Sequence, residues 1–279
     1  MKSHAVFFSL LIGFISNAVS SEDSLTFSSS ALSNSYCQQL LAENVITNNN
    51  PVPCERLRRI NFSYLNETGE IKQDGELVVL DVIAPKVMAL TKALLKQKFV
   101  IYSAKAIENY QGDDQLSMAA NNSSAFNGRE ITGGSSWSLH AYGAAIDINP
   151  VQNPFIDIEA DGSARISPSQ SAHYAVNRSN QRPGKLPRLG LAEEVVDIFA
   201  QYGFFIWGGD WNYPIDYQHF QVGPRSFVGT LLAMEPHKAE VLLDKYISLY
   251  LNCKNSHPFE LQSKQIRAEC VAAVTSEMR

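Results

Sequence analysis

The sequence predicts an α+β fold, and three observations carry that reading. Helical periodicity occurs in three separate stretches, short apolar runs lie between them, and strands and helices do not alternate as a doubly wound sheet requires. The first helix is expected from Ala84, with Pro85 at a first-turn position and Val87, Leu90 and Leu94 spaced to share one face. Phe99, Val100 and Ile101 then read as a buried strand. A second helix sets Val195, Ile198, Phe199 and Tyr202 on one face and stops at Gly203, and the apolar run Phe204 to Trp207 follows at once. The third helix starts near Pro236 and carries Leu242, Tyr246, Leu249 and Tyr250 toward the last cysteines. Residues 21–35 are Ser-rich and polar and read as a flexible lead-in, so the fold is expected to begin near Cys37. Between Pro150 and Leu191 the chain turns polar and loop-like, as a lid, a binding loop, a disordered insertion or a solvated surface loop would.

With 45% hydrophobic and 18% charged residues over 279 positions, the chain can bury a real core. Its first twenty residues have the form of an export signal: Lys2, the apolar run Ala5 to Ile15, then small residues at Ala18 and Ser20, with cleavage expected near Ser21. That run is shorter than the roughly 20 apolar residues that span a bilayer. No later segment is long or apolar enough to do so, and a periplasmic or secreted product without an integral membrane segment is expected. The net charge of −5, one unit more negative once Lys2 is removed, argues against a nucleic-acid partner, because phosphate neutralisation needs a basic surplus. Four cysteines fall as two local pairs, Cys37 with Cys54 and Cys253 with Cys270, each 17 positions apart. In an oxidising compartment this spacing favours two local disulfides; a four-cysteine zinc site would ordinarily carry C-x-x-C knuckles, which are absent. The expected organisation is a signal over 1–20, an N-terminal extension over 21–74, a catalytic domain over 75–230 and a C-terminal helical extension over 231–279.

Two segments concentrate metal-ligand residue types among aromatics and glycines: SLHAYGAAIDINP at 138–150 and WGGDWNYPIDYQHFQ at 207–221. A catalytic zinc takes three protein ligands and leaves a fourth position to water, and His140, Asp147 and His219 would supply that set for one ion per chain. His140 and Asp147 are seven positions apart, an odd step that would put them on opposite faces of one straight strand. A turn at Gly143 resolves this, with residues 145–148 as a strand that aims Asp147 inward. In the second segment Phe220 and Val222 share one strand face, so His219 takes the other, and a bend at Pro214-Ile215 would return Asp216 toward the metal. Asp147 among alanines and isoleucines is an expensive residue to bury unless it is paired or metal-bound. His173, His237 and His257 read as surface or hydrogen-bonded residues, His173 lying in the long polar stretch.

The stretch from Gly75 to Val222 resembles the bacterial cell-wall metallopeptidases that include D-alanyl-D-alanine carboxypeptidases and L-alanyl-D-glutamate endopeptidases. Their pattern Ser-x-His-x-x-Gly-x-Ala-x-Asp is matched by Ser138, His140, Gly143, Ala145 and Asp147, and their Asp/Glu-x-x-His by Asp216 and His219. The resemblance implies a small antiparallel sheet flanked by helices of the hedgehog/DD-peptidase kind, zinc as cofactor and a peptidoglycan peptide as substrate. It further implies Asp216 as general base and Arg129 as the residue that stabilises an oxyanion or holds a substrate carboxylate. Relatives often carry a Ser-Gly-Tyr-Arg turn where this chain has Tyr102-Ser103-Ala104-Lys105. Ser138 and Asp210 are expected to orient ligands, and Trp207, Trp211 and Tyr217 to wall the cleft. An Asp in the base position is more like the endopeptidases. The alternatives are a D,D-carboxypeptidase or dipeptidase of the same fold and, because the fold is similar to that of the hedgehog signalling domain, a catalytically silent zinc-bearing module.

Overall fold

The computed structural model describes residues 25–131, 134–178, 182–257 and 263–278, so the expected signal segment lies outside the described residues. In chain order the elements are β1 (Phe27–Ala31), α1 (Asn34–Ala42), β2 (Leu57–Leu65), β3 (Ile71–Leu80), α2 (Ala84–Lys96), α3 (Asp114–Ala119), β4 (Ala145–Asp147), β5 (Phe155–Ile158) and β6 (Ala164–Ser167). There follow α4 (Val196–Gln201), β7 (Ile206–Trp207), β8 (Ile215–Asp216), β9 (His219–Gln221), α5 (Arg225–Ala233), α6 (Pro236–Ser256) and α7 (Ser263–Glu277). The mixed α and β character agrees with the sequence reading. In place of one small sheet the described residues form three small ones, ordered β1-β2-β3, β4-β9-β7 and β6-β5-β8, with every strand pair among them antiparallel.

The first sheet is the platform. Asn66 closes the β2–β3 connection by accepting from the Thr68 and Glu70 amides at 3.1 and 2.8 Å, and α2 then covers the sheet with Val87, Leu90 and Leu94. Pro85 sits in the first turn of α2, where its missing N–H leaves no bond unmade. Two expectations for this region need correction. Residues 27–31 are an edge strand, not a flexible lead-in; four of the five are exposed, so no apolar alternation marks them, and backbone pairing with β2 holds them. Phe99 to Ile101 are buried as expected but form only a single parallel bridge, Leu65 with Val100.

The polar stretch 150–191 is also more ordered than its composition implies. β5 and β6 form a hairpin whose turn is set by Asp161, which accepts from the Ser163 amide at 2.9 Å, and β5 pairs with β8. The helices after it follow the predicted pattern: α4 ends before Gly203, and α6 starts at Pro236, although Leu243 and Ile247 are buried more deeply than Leu242 and Leu249. β3 runs across position 75, where the sequence placed the start of the catalytic domain. One apolar cluster extends from Leu40 to Met278 and takes in residues of both terminal regions.

Both disulfides join the local pairs, Cys37 with Cys54 and Cys253 with Cys270. The second ties α6 to α7. Replacing Cys253 and Cys270 together by Ser frees a loop of 17-residue separation and should lower the unfolding free energy by about 3 kcal/mol on a chain-entropy basis. Urea unfolding of the oxidised parent and the double variant checks this, and equal stabilities would mean that the helix packing alone fixes the C-terminal region.

Candidate metal centre and cleft

The site is assembled by one turn and one strand pair. Ser138 caps a short 3-10 turn over Leu139–Tyr142 by accepting from the His140 amide at 3.2 Å, and the turn ends at Gly143 with φ +62°. A side chain at Gly143 would place its Cβ 2.6 Å from the Leu80 nitrogen, which itself donates to the Gly143 carbonyl, so only glycine permits both the left-handed turn and the contact with β3. The chain then enters β4, which pairs with β9 so that Asp147 lies directly opposite His219. Opposed residues on one face of an antiparallel pair have Cβ atoms about 5 Å apart, which brings their polar ends together. Ile146 and Phe220 take the other face, where Phe220 stacks on Phe199 at 3.8 Å.

His140, Asp147 and His219 are all buried, and their donor atoms converge. His140 Nε2 lies 3.1 Å from His219 Nδ1 and 3.2 Å from Asp147 Oδ1, and His219 Nδ1 lies 3.1 Å from the same oxygen. Donors about 2.0–2.1 Å from a tetrahedral zinc stand about 3.3 Å from one another, so this near-equilateral triangle has the right size. The outer nitrogens fix the tautomers. His140 Nδ1 is 2.5 Å from the Ala125 carbonyl, which can only accept, so Nδ1 carries the proton and Nε2 presents a lone pair. His219 Nε2 is 2.9 Å from Gln221 Oε1, and the Gln221 amide nitrogen donates to the Gly223 carbonyl, so the same logic leaves the Nδ1 of a neutral His219 bare. Two imidazole lone pairs and a carboxylate oxygen at one point repel unless a cation or a proton lies among them, and the residues present therefore fit a zinc ion.

The electrostatics agree. Burial alone would raise the Asp147 carboxyl, but the charge and hydrogen bonds of His140 and His219 hold it well below the usual carboxylate range. Burial alone would lower His219, but the hydrogen bond and charge of Asp147 lift it to about 9. Asp216, at the end of β8, is pushed up to about 7 by burial and then by the negative charge of Asp147. Its Oδ1 is buried and has no hydrogen-bond partner among the described residues. Gly208 makes this placement possible, since a Cβ there would lie 2.4 Å from the Asp216 carbonyl oxygen.

A cleft of about 390 Å³ opens on the triad and is lined as well by Asp216, Arg129, Ser138 and Trp211, all expected from the sequence. Trp211 lies with its ring 5.4 Å from that of His219. Arg129 is held by Asp114 at 2.6 Å and also donates to the Glu130 carbonyl. Three other expected site residues do not line this cleft. Asp210 points to α7, where it pairs with Arg267 at 2.9 Å. Trp207 belongs to the core, stacked against Phe220 with its indole N–H on the Tyr217 carbonyl. Tyr217 lies under the Arg178 guanidinium, 4.0 Å from its ring centre. His173 packs on Tyr174, away from the site. Residues that sequence reasoning missed include Gln221, Asp114 and Gln218. Gln221 carried a signal, because i+2 on a strand shares the face of His219. The second cluster of ligand-type residues among those described, Cys253, His257 and Cys270, has both thiols joined in the disulfide.

Residues 132–222 match the D-alanyl-D-alanine carboxypeptidase family model. The resemblance carried by the spacing of Ser138 to Asp147 and of Asp216 to His219 is thus found independently over the segment holding His140, Asp147, His219 and Asp216. The match covers 91 of the 279 residues, with Arg129 lying three positions before its start. No curated protein and no solved structure matches the chain.

Metal affinity should depend on pH with a defined sign. Below about pH 9 the metal-free His219 carries a second proton that a cation must displace, so affinity should rise about tenfold per pH unit between pH 6 and 8 from this residue alone and flatten above 9. Competition against a chelator of known affinity, repeated across that range, reads the slope; a flat profile would mean that His219 Nδ1 is not a ligand.

Proposed function

We propose that this chain is an exported zinc metallopeptidase that hydrolyses a peptide bond in peptidoglycan stem peptides, with the L-alanyl-D-glutamate bond as its target. The observation that carries this reading is the convergence of His140, Asp147 and His219 in a cleft that also holds Asp216, whose Oδ1 has no hydrogen-bond partner among the described residues. When bound, zinc would supply Lewis acidity both to the scissile carbonyl and to the attacking water. Asp216 accepts a proton from that water and passes it to the leaving amine, tasks that need a carboxyl group able to exchange a proton near neutral pH. Burial raises its affinity for the proton and the cation's positive charge would lower it again, which keeps Asp216 ionised to act first as base. Arg129, fixed in direction by Asp114, turns its permanent charge to the cleft, where it can stabilise a developing oxyanion or hold a substrate carboxylate. Ser138 acts one step back by setting the turn that presents His140. Trp211 walls the cleft beside His219.

Export is supported by the signal-like first twenty residues and by two disulfides, which persist in oxidising compartments. Among the described residues no helix is long and apolar enough to cross a membrane. The domain limits of 75–230 for the catalytic part and 231–279 for a helical extension remain part of this proposal. A second reading, D,D-carboxypeptidase activity on the same peptides, is favoured by the description of the matching family model. Digesting purified peptidoglycan and identifying fragments by mass spectrometry separates the two by the new termini that form.

Asp216→Ala should keep its zinc, since the three ligands are untouched, while hydrolysis of wall peptides falls by about 100- to 10,000-fold. Zinc content and turnover measured on the same preparation check this. A zinc-loaded variant that still cleaves at the parent rate would remove Asp216 as the base, and a zinc-loaded parent that binds wall fragments without ever cleaving them would establish the silent module instead.

A further inference from the structure

Among the described residues three arginines line the cleft, and they differ in how their charge is met. Arg129 already pairs with one carboxylate, Asp114, at 2.6 Å. Arg165, on the β5–β6 hairpin, pairs with Asp157 and, at 3.2 Å, with Glu159. Arg225, at the start of α5, has no carboxylate partner among the described residues. Its Nη1 donates to the Trp137 carbonyl, and its guanidinium carbon lies 5.9 Å from the centre of the Tyr142 ring. One carbonyl bond uses one of five guanidinium N–H donors and none of the positive charge. An arginine anchored in this way, with its charge unmet and at the edge of a concave site, is prepared for an anionic group from a ligand.

The position of Arg225 is tied to the metal centre by two short paths. Trp137, its carbonyl anchor, precedes Ser138, whose amide donates to the Arg129 carbonyl at 3.0 Å, so Arg129 and Arg225 flank the same segment leading into His140. From the other direction, Gln221 holds His219 with one end of its amide and the Gly223 carbonyl with the other, two residues before Arg225. Movement of the arginine away from the ligands is therefore restrained at both its backbone and its head group.

We propose that Arg225 forms an anion subsite in the cleft, separate from Arg129, that takes a carboxylate of the substrate peptide beside the scissile bond. This rests on reading the cleft as a peptidase site, and it assigns the substrate class more narrowly: a peptide with a free carboxylate on the residue next to the bond, not a neutral or amidated one. Wall peptides offer two sources of that group, the α-carboxylate of the D-glutamate and the carboxylate of a terminal D-alanine.

The test measures equilibrium binding, so that it does not depend on turnover. Zinc-loaded Asp216→Ala protein, with and without Arg225→Ala, is titrated by calorimetry with a stem peptide bearing a free D-glutamate α-carboxylate and with the same peptide amidated there. A second pair, ending in D-alanine or its amide, distinguishes the source. With Arg225 present, one acid should bind about 10- to 100-fold more tightly than its amide, as a charge-assisted hydrogen bond provides, and Arg225→Ala should abolish that preference while zinc content stays at one per chain. Arg225→Lys, which keeps the charge without the two-pronged geometry, should restore part of it. If Arg225→Ala misfolds, Arg225→Gln gives the same comparison. An acid preference that survives the loss of Arg225, or no preference in its presence, would overturn the proposal. Failure of the peptidase reading shows separately, as absence of cleavage by the protein that retains Asp216.

Discussion

The pairing of β4 with β9 is the constraint on which the site depends. Its register sets Asp147 opposite His219 and, on the other face, Ile146 opposite Phe220. Because side chains alternate along a strand, a slip of one residue would turn the carboxylate and imidazole into the core and bring isoleucine and phenylalanine out into the cleft. Phe220 prevents that slip by stacking on Phe199 and Trp207. The apolar face of the pair thus fixes where the polar face presents Asp147 and His219. His140 joins them from the preceding turn, whose geometry depends on Gly143 lying against β3 of a different sheet.

The remaining walls are attached to this pair by contacts that give several distant residues a part in the site. β8 carries Asp216 and is braced by β5 on one side and by Gly208 on the other. The segment holding Trp211 is fastened from outside the cleft, where the buried Arg267 of α7 reaches Asp210 at 2.9 Å and Asp197 at 3.4 Å. A buried guanidinium is tolerated only with its charge met, so these two carboxylates hold α7 against the loop that walls the cleft. The C-terminal helices contribute to the common core through Leu243, Tyr250 and Val274, and their contact with the cleft is structural rather than chemical.

The convergence of His140, Asp147 and His219 was legible because it is encoded in short spacings: two imidazoles and a carboxylate, a glycine where the chain must turn, and an odd step that only a turn can reconcile. The positions of Trp207, Asp210 and Tyr217 were not, since their segment leaves a two-residue strand through a 3-10 turn and strand alternation no longer tells which way a side chain points. β1 was hidden for a different reason. An edge strand held by backbone bonds needs no apolar side chains, and Phe27–Ala31 has four exposed positions. The β5–β6 hairpin was obscured in the same way by polar residues on a small, half-exposed sheet. Asp114 lay in a segment singled out for its resemblance, but its pairing with Arg129 across fifteen positions depends on tertiary placement that local pattern does not contain.

The central claim is that His140, His219 and Asp147 together hold a zinc ion through nitrogen and oxygen alone. X-ray absorption at the zinc edge of the metal-loaded protein tests it most directly. The account predicts a four-coordinate nitrogen and oxygen shell at about 2.0–2.1 Å with the multiple scattering of two imidazoles and an oxygen from solvent completing it. A sulfur shell at about 2.3 Å, or a spectrum without imidazole scattering, would place the metal elsewhere and contradict the assignment.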